Sequence, residues 1–504
     1  MQKTIFIKNI FTSKRSLFQE HINDVTSQID SLTGRKNTPS TATQRKRLIA
    51  THIVIEGLYR CYCSQSELIG LAVPHNPAAY NQNDKSKISR IGYKIIRSVI
   101  DSMVKLGWVN KKRGFWNADF GGETTELRPS GELLEAFKNV GITWQELEPI
   151  NDVIILRNYD PSTKKKYNQP IPKSDYVRAM ESNVKKINKF LCKQCICLMI
   201  SNERYHKLAS QLISSQKNAR HEFSQQEQFP RYIDFSMVQL NRIFSRSNMR
   251  LGGRFYGGWW QFIPKEYRVH ITINYLPTIE VDYSGLHPLM IYHLEELTPP
   301  NGDMYDIGIW ATEQQKKIKR PLIKKFFNAI INDESGNYRM SKEDLNIIGM
   351  TNKQLRDLIY QKHHQIKHRF NSGYGLKLQY EDSQIAERVM LILMEQKITC
   401  LPIHDSFIVP YMHKSELVEA MIRVYKEKFG KDVSTKSTFL FDLDENGTPI
   451  YQPEFPMPMM KMNLSNEIAH LDRNALYKMH EDSIHNSFCN SWSINEKKRP
   501  SNRL

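Results

Sequence analysis

The chain has 504 residues, 40% of them apolar and 25% charged, the proportions of a globular protein with room for about two to four domains. Lys and Arg number 71 against 53 Asp and Glu, a formal net charge of +18, which points to a polyanionic partner, nucleic acid before membrane. No apolar run reaches the length of a membrane span, so a cytoplasmic protein without a membrane partner is expected.

Residues 1–35 read as a basic N-terminal segment with weak helical patterning, carrying Lys3, Lys8, Lys14 and Arg15. After the Thr38–Thr43 break, Leu48, Ile53, Val54, Leu58 and Tyr59 follow a helical period. Ile95, Ile96, Val99, Ile100, Met103 and Val104 do the same up to a C-cap at Gly107. Trp108-Val109-Asn110 then leads into Lys111-Lys112-Arg113, a Gly121-Gly122 turn, the segment Thr125–Arg128 and a helix from Pro129-Ser130. Helix, strand, basic hairpin, strand, helix resembles a winged helix-turn-helix module, so residues 36–145 are expected to form a DNA-binding domain. The helix Ile91–Leu106, with Lys94, Arg97 and Lys105, would be its recognition helix, and Lys111, Lys112 and Arg113 would carry its wing to phosphate. A protein-contacting module is the alternative.

Residues 146–175 are expected to be a semi-extended linker, from the prolines at Pro161, Pro170 and Pro172 and the run Lys164-Lys165-Lys166. Residues 176–230 read as a Lys-rich helical region. Cys192, Cys195 and Cys197 fall within it as C-x-x-C-x-C. Without a second C-x-x-C, and with His206 the nearest fourth ligand, they are expected to be reduced, buried cysteines on a helix face rather than a zinc site. Residues 231–450 carry the chemistry, and residues 451–504 form a tail with a Met/Pro-rich run and an end expected to be disordered.

Within that core, Leu251–Trp260 sets four glycines among four aromatics, with Arg250 and Arg254 beside them. Such a stretch serves either close backbone approach to a ligand, with Arg on phosphate and aromatics on bases, or a turn with core tryptophans. Val269–Tyr275 alternates as a strand, turns at Pro277 and feeds the apolar strand that ends at Asp282, with Pro288 in the first turn of the helix that follows. A second carboxylate, Asp405, lies at the tip of a strand–turn–strand, between Ile398–Ile403 and Phe407–Val409. Buried carboxylates are costly unless something pairs with them, and two of them suffice for Mg²⁺ together with substrate phosphates. Between the two, Arg320, Lys324, Asn328 and Asn332 recur every four residues on one helix face, with Leu322, Phe326, Ala329 and Ile330 expected to be buried opposite. That cationic face suits a triphosphate.

Asp282-Tyr283-Ser284 with Gly285-Leu286-His287, Arg320 with Lys324, and Ile403-His404-Asp405-Ser406-Phe407 resemble motifs A, B and C of the family A DNA polymerases and single-subunit RNA polymerases. Asp303-Met304-Tyr305 and Gly253-Arg254-Phe255-Tyr256 resemble two further elements of the same families, over roughly residues 235–430. The resemblance implies an α+β chain with a right-hand polymerase fold: an antiparallel palm, helical fingers, and a helical thumb at 176–230. It further implies two Mg²⁺ ions, or Mn²⁺ in their place, on Asp282 and Asp405, with Lys324 as general acid and His404 supporting the primer end. Arg320, Lys324, Asn328, Asn332, His287 and Tyr283 would face the nucleotide, and Arg250, Arg254 and Tyr256 the nucleic acid. Partners would be a DNA template, a primer or nascent strand, and nucleoside triphosphates. The motif B helix departs from the family at Asn328 and Asn332-Asp333, where an aromatic and a Tyr-Gly are usual, and His287 stands where the DNA enzymes carry a sugar-gating Glu.

The expected function is template-directed nucleotidyl transfer, leaning toward an RNA polymerase or primase. A family A-like DNA polymerase without proofreading, a catalytically inactive replication initiator or regulator, and a metal-dependent nuclease are the alternatives.

Overall fold

The computed structural model describes residues 4–6, 18–34, 38–63, 70–73, 91–117, 121–123, 125–140, 153–162, 165–194, 196–200, 204–205, 207–208, 210–212, 233, 237–274, 276–438, 442–443 and 449–450. The fold is α+β with mostly antiparallel strand pairing. Cys195, His206, the Met/Pro-rich run and the rest of the tail lie outside the described residues.

The N-terminal part is built from the helices Gln19–Thr33, Thr41–Cys63, Tyr93–Lys105 and Gly131–Val140 and a four-stranded sheet. The strand order is Thr4–Phe6, Gly70–Val73, Thr125–Pro129, Val109–Lys112, the first pair parallel and the others antiparallel. Thr4–Phe6 and the helix Gln19–Thr33, the regular elements described among the first 35 residues, are therefore part of this unit rather than a separate segment. Ile22, Val25 and Ile29, at helical spacing, are fully buried alongside Val54, Leu58, Val99 and Met103. Arg47 donates to Asp30 at 2.8 Å, and Lys105 reaches the Leu32 carbonyl.

The described residues between 146 and 175 do not form a semi-extended linker. Ile154–Asp160 and Lys165–Gln169 form an antiparallel hairpin, and Ile154–Leu156 pairs in parallel with the strand Asn241–Ser245. Alternation wins over composition here. Ile154 and Leu156 bury one face, while the proline stands in the turn, where Asp160 accepts from the Ser162 amide at 2.9 Å and its hydroxyl at 2.6 Å. The four-stranded sheet runs Asn248–Tyr256, Asn241–Ser245, Ile154–Asp160, Lys165–Gln169. The region 176–230 is not helical throughout. The helix Asp175–Leu191, capped by Ser174, ends in the apolar cysteine run, and Ile196–Leu198 is a strand. Cys192 is thus a buried helix cap and Cys197 a buried strand residue; burial pushes the Cys192 thiol up to about 12.

The catalytic-looking residues stand on a third sheet, ordered Leu401–Ile403, Ser406–Pro410, Leu276–Tyr283, Ile271–Ile273, Ile196–Leu198, with Thr435–Thr438 paired to the other edge of Leu276–Tyr283. Ile273 pairs with Leu276, so the chain reverses between them, where Asn274 takes a φ of 51°, and Pro277 lies within the strand opposite Thr272. The helix Gly375–Glu395 packs across the back of Asn248–Tyr256. A buried network ties them together. Fully buried Arg242 donates to the Gly253 carbonyl at 2.8 Å and Ser383 at 2.6 Å and pairs with Glu387, which also accepts from Asn183 at 2.7 Å.

Candidate active site

Asp282 pairs with Ser406 across the two central strands, which sets it beside Asp405 in the His404-Asp405 turn between Ile403 and Ser406. His404 holds a φ of 53°, a left-handed conformation that costs a β-carbon residue energy and that a two-residue hairpin imposes. Alternation sorts the central strand. Glu280 and Asp282 share a face, whereas Tyr283 turns away, buried, its hydroxyl donating to the Met421 carbonyl at 2.8 Å. The Tyr283 side chain therefore belongs to the core rather than to the face that carries Asp282. Glu280 is held by Arg268 at 3.1 and 3.2 Å and by the Ser406 hydroxyl at 2.7 Å.

The two aspartates differ electrostatically. Burial and the neighbouring Asp405 charge push Asp282 up to about 7 against the pull of Lys324. Its Oδ1 is buried and accepts no hydrogen bond. Burial also works against Asp405, but Arg254, His287 and Lys324 together hold it below the usual carboxylate range. Two like charges in one site with opposite shifts share the region's cations unequally, and the orphaned Oδ1 is an acceptor that a cation would satisfy. A pair of carboxylates open to substrate oxygens suits Mg²⁺ or Mn²⁺.

The helix Glu313–Asn332 faces this pair with Lys324, whose charge bears on Asp282, Asp405 and His287. Its buried side comprises Ile323, Phe326, Phe327, Ile330 and Ile331; Leu322 and Ala329 are only half-buried, which rotates the expected apolar stripe. Arg320 is already engaged. Asp303 accepts from it through both carboxylate oxygens, one at 3.0 Å, and its guanidinium lies 5.1 Å from the Tyr305 ring centre. Asn328 Oδ1 is buried without a partner, and exposed Asn332 bonds back to the Asn328 carbonyl at 2.7 Å.

Arg254 enters from the strand Asn248–Tyr256, with Nε 2.8 Å from Asp382 Oδ2 and a terminal nitrogen 2.9 Å from His287 Nε2. Tyr256 packs edge-on against His404, ring centres 6.0 Å apart. Arg250 lies exposed near the other end of the same strand, away from this group. The neighbouring glycines serve packing, not a ligand. A β-carbon on Gly253 would meet the Phe244 ring at 2.6 Å, and Trp259 and Trp260 are buried in the core. Asp382, on the helix Gly375–Glu395, escapes the sequence reading, as does Glu280. Asp382's only sequence signal is an acid on the apolar stripe of a helix, next to Ile385 and Ala386.

In the N-terminal unit Lys94, Arg97, Lys112 and Arg113 are exposed. Arg97 lies 3.5 Å from Asp101, and Lys111 is only partly exposed and paired with Asp101 at 2.7 Å, so Lys111 braces the strand against its helix rather than reaching outward. Among the described residues no helix is long and apolar enough to cross a membrane. No family model matches the chain, and no curated protein matches it.

Proposed function

We propose that this chain is a template-directed nucleotidyltransferase of the polymerase type. In this reading the sheet around Leu276–Tyr283 is the palm, Glu313–Asn332 belongs to the fingers, and the helix Asp175–Leu191 belongs to a thumb-like region. The observation that carries it is the convergence of Asp282 and Asp405 on neighbouring strand ends under the charge of Lys324. The +18 net charge and the exposed Lys94, Arg97, Lys112 and Arg113 supply the expected affinity for a nucleic-acid backbone.

Asp282 and Asp405 would hold Mg²⁺ or Mn²⁺, which when bound activates a 3′-hydroxyl and neutralises the triphosphate. Lys324 holds the phosphates and protonates the departing pyrophosphate from the helix side. Arg320, oriented by Asp303 and Tyr305, presents its remaining edge to the same phosphates, and Asn328 offers an unpaired polar group beside them. His404 supports the primer end from the hairpin tip. His287, neutral at working pH, borders the nucleotide, with synthesis leaning toward ribonucleotides.

A second reading, a nonenzymatic replication initiator or regulator, draws on the Arg320–Asp303 pair, which already occupies much of a guanidinium that phosphate would need. The deciding experiment supplies primed and unprimed DNA templates with Mg²⁺ and either ribo- or deoxynucleotides. Extension that disappears in Asp282→Ala and Asp405→Ala supports the polymerase. Extension that persists in both sinks this mechanism, and primer degradation without nucleotides identifies a nuclease instead.

A further inference from the structure

Arg254 connects two groups from distant parts of the chain, Asp382 at 2.8 Å and His287 at 2.9 Å, and all three lie close enough to Asp405 to feel its charge. A guanidinium has donors and no acceptor, so the imidazole nitrogen it meets must be the accepting one. That assigns the ring: Nε2 carries the lone pair and Nδ1 carries the proton. Nδ1 has no hydrogen-bond partner among the described residues. Arg254 is also close enough to Asp405 for its charge to be felt there, so Asp382 and Asp405 compete for one cation.

Resting on the nucleotidyltransferase reading, we propose that Asp382 is a positioning residue: it anchors Arg254 so that Arg254 fixes His287 as the Nδ1–H tautomer and stays off Asp405. His287 then offers substrate a neutral donor, suited to an uncharged oxygen such as a sugar hydroxyl, and Asp405 stays open for a cation. Removing the Asp382 charge releases Arg254 toward Asp405, the other carboxylate whose charge bears on it, and frees the ring to change tautomer.

The test is nitrogen NMR of the full-length protein with labelled histidine, the His287 signal being assigned by its loss in His287→Gln. Wild type is expected to show the neutral Nδ1–H pattern. Asp382→Asn and, independently, Arg254→Lys, which cannot bridge both partners, are expected to convert it to a mixture or to Nε2–H, and Asp382→Glu to restore it. In extension assays Asp382→Asn is expected to lower kcat at least tenfold and raise the Mg²⁺ requirement, with nucleotide KM changed less than threefold. A wild-type Nε2–H signal, or an unchanged signal in both Asp382→Asn and Arg254→Lys, overturns the proposal. The spectra require no turnover, so absence of extension in wild type would count against the nucleotidyltransferase reading alone.

Discussion

Arg320 is gripped by Asp303 through both carboxylate oxygens and lies over the Tyr305 ring, so the segment before the helix Glu313–Asn332 sets the aim of that helix's arginine. A guanidinium fixed in advance loses less freedom when phosphate arrives. Asp303→Asn is expected to raise nucleotide KM severalfold with a smaller change in kcat. It should cost only about 1 kcal/mol of stability, because the pair is partly solvated. Steady-state kinetics and urea unfolding of Asp303→Asn, Arg320→Ala and the double variant measure both effects, and full additivity in KM would show that the two residues act separately.

The Arg242–Glu387 pair is a different case, being buried and far from solvent screening. Arg242→Met strands the Glu387 carboxylate with Asn183 as its remaining partner and is expected to destabilise by about 3–5 kcal/mol. Arg242→Met with Glu387→Leu removes both charges and is expected to recover most of that loss in urea unfolding.

Asp282 binds its proton more tightly in the fold, at about 7, than in the unfolded chain, at 3.8. Between those values the native state holds a proton that the unfolded state has lost, so this residue lowers stability as pH rises, fully so above about 7. Asp282→Asn is therefore expected to raise the metal-free Tm by several degrees at pH 8, to leave it nearly unchanged at pH 4, and to abolish extension. Thermal scans at both pH values decide it; an equal shift at the two would assign the gain to something other than charge.

His363 has the opposite sign. Fully buried, it bonds Tyr292 at 3.1 Å and the Met304 carbonyl at 2.9 Å, and burial lowers it from 6.5 to about 4. The neutral ring contributes its full stability above about 6.5 and loses it as pH falls toward 4, a change of about 3 kcal/mol. His363→Gln is expected to flatten the fall in unfolding free energy between pH 7 and pH 4.5, as read from urea titrations at the two ends.

The site was legible where local pattern decides structure. Asp282 and Asp405 each stand at the end of an apolar run, and Lys324 shares a helical repeat with Arg320, so strand, turn and helix geometry placed all three. Partners joined by tertiary contact were not legible. Asp382 reads as an ordinary acid until the helix Gly375–Glu395 meets Arg254, and Arg242 reads as a surface cation until Glu387 covers it. The hairpin at residues 154–169 was hidden by its own composition, in which a proline and lysines outweighed two buried aliphatics that decide the packing. Tyr283 was misplaced because a motif gives neighbours in sequence, whereas a strand sends neighbours to opposite faces.

The strand bearing Asp282 is laddered on both sides, to Ser406–Pro410 and to Thr435–Thr438. Its peptide groups are spent on neighbours, so displacing Asp282 by even a fraction of a residue means unzipping two ladders at once. The floor of the site is thus a fixed datum. In hydrogen exchange the amides of Ile279–Val281, held in ladders on both sides, should outlast those of the helix Glu313–Asn332.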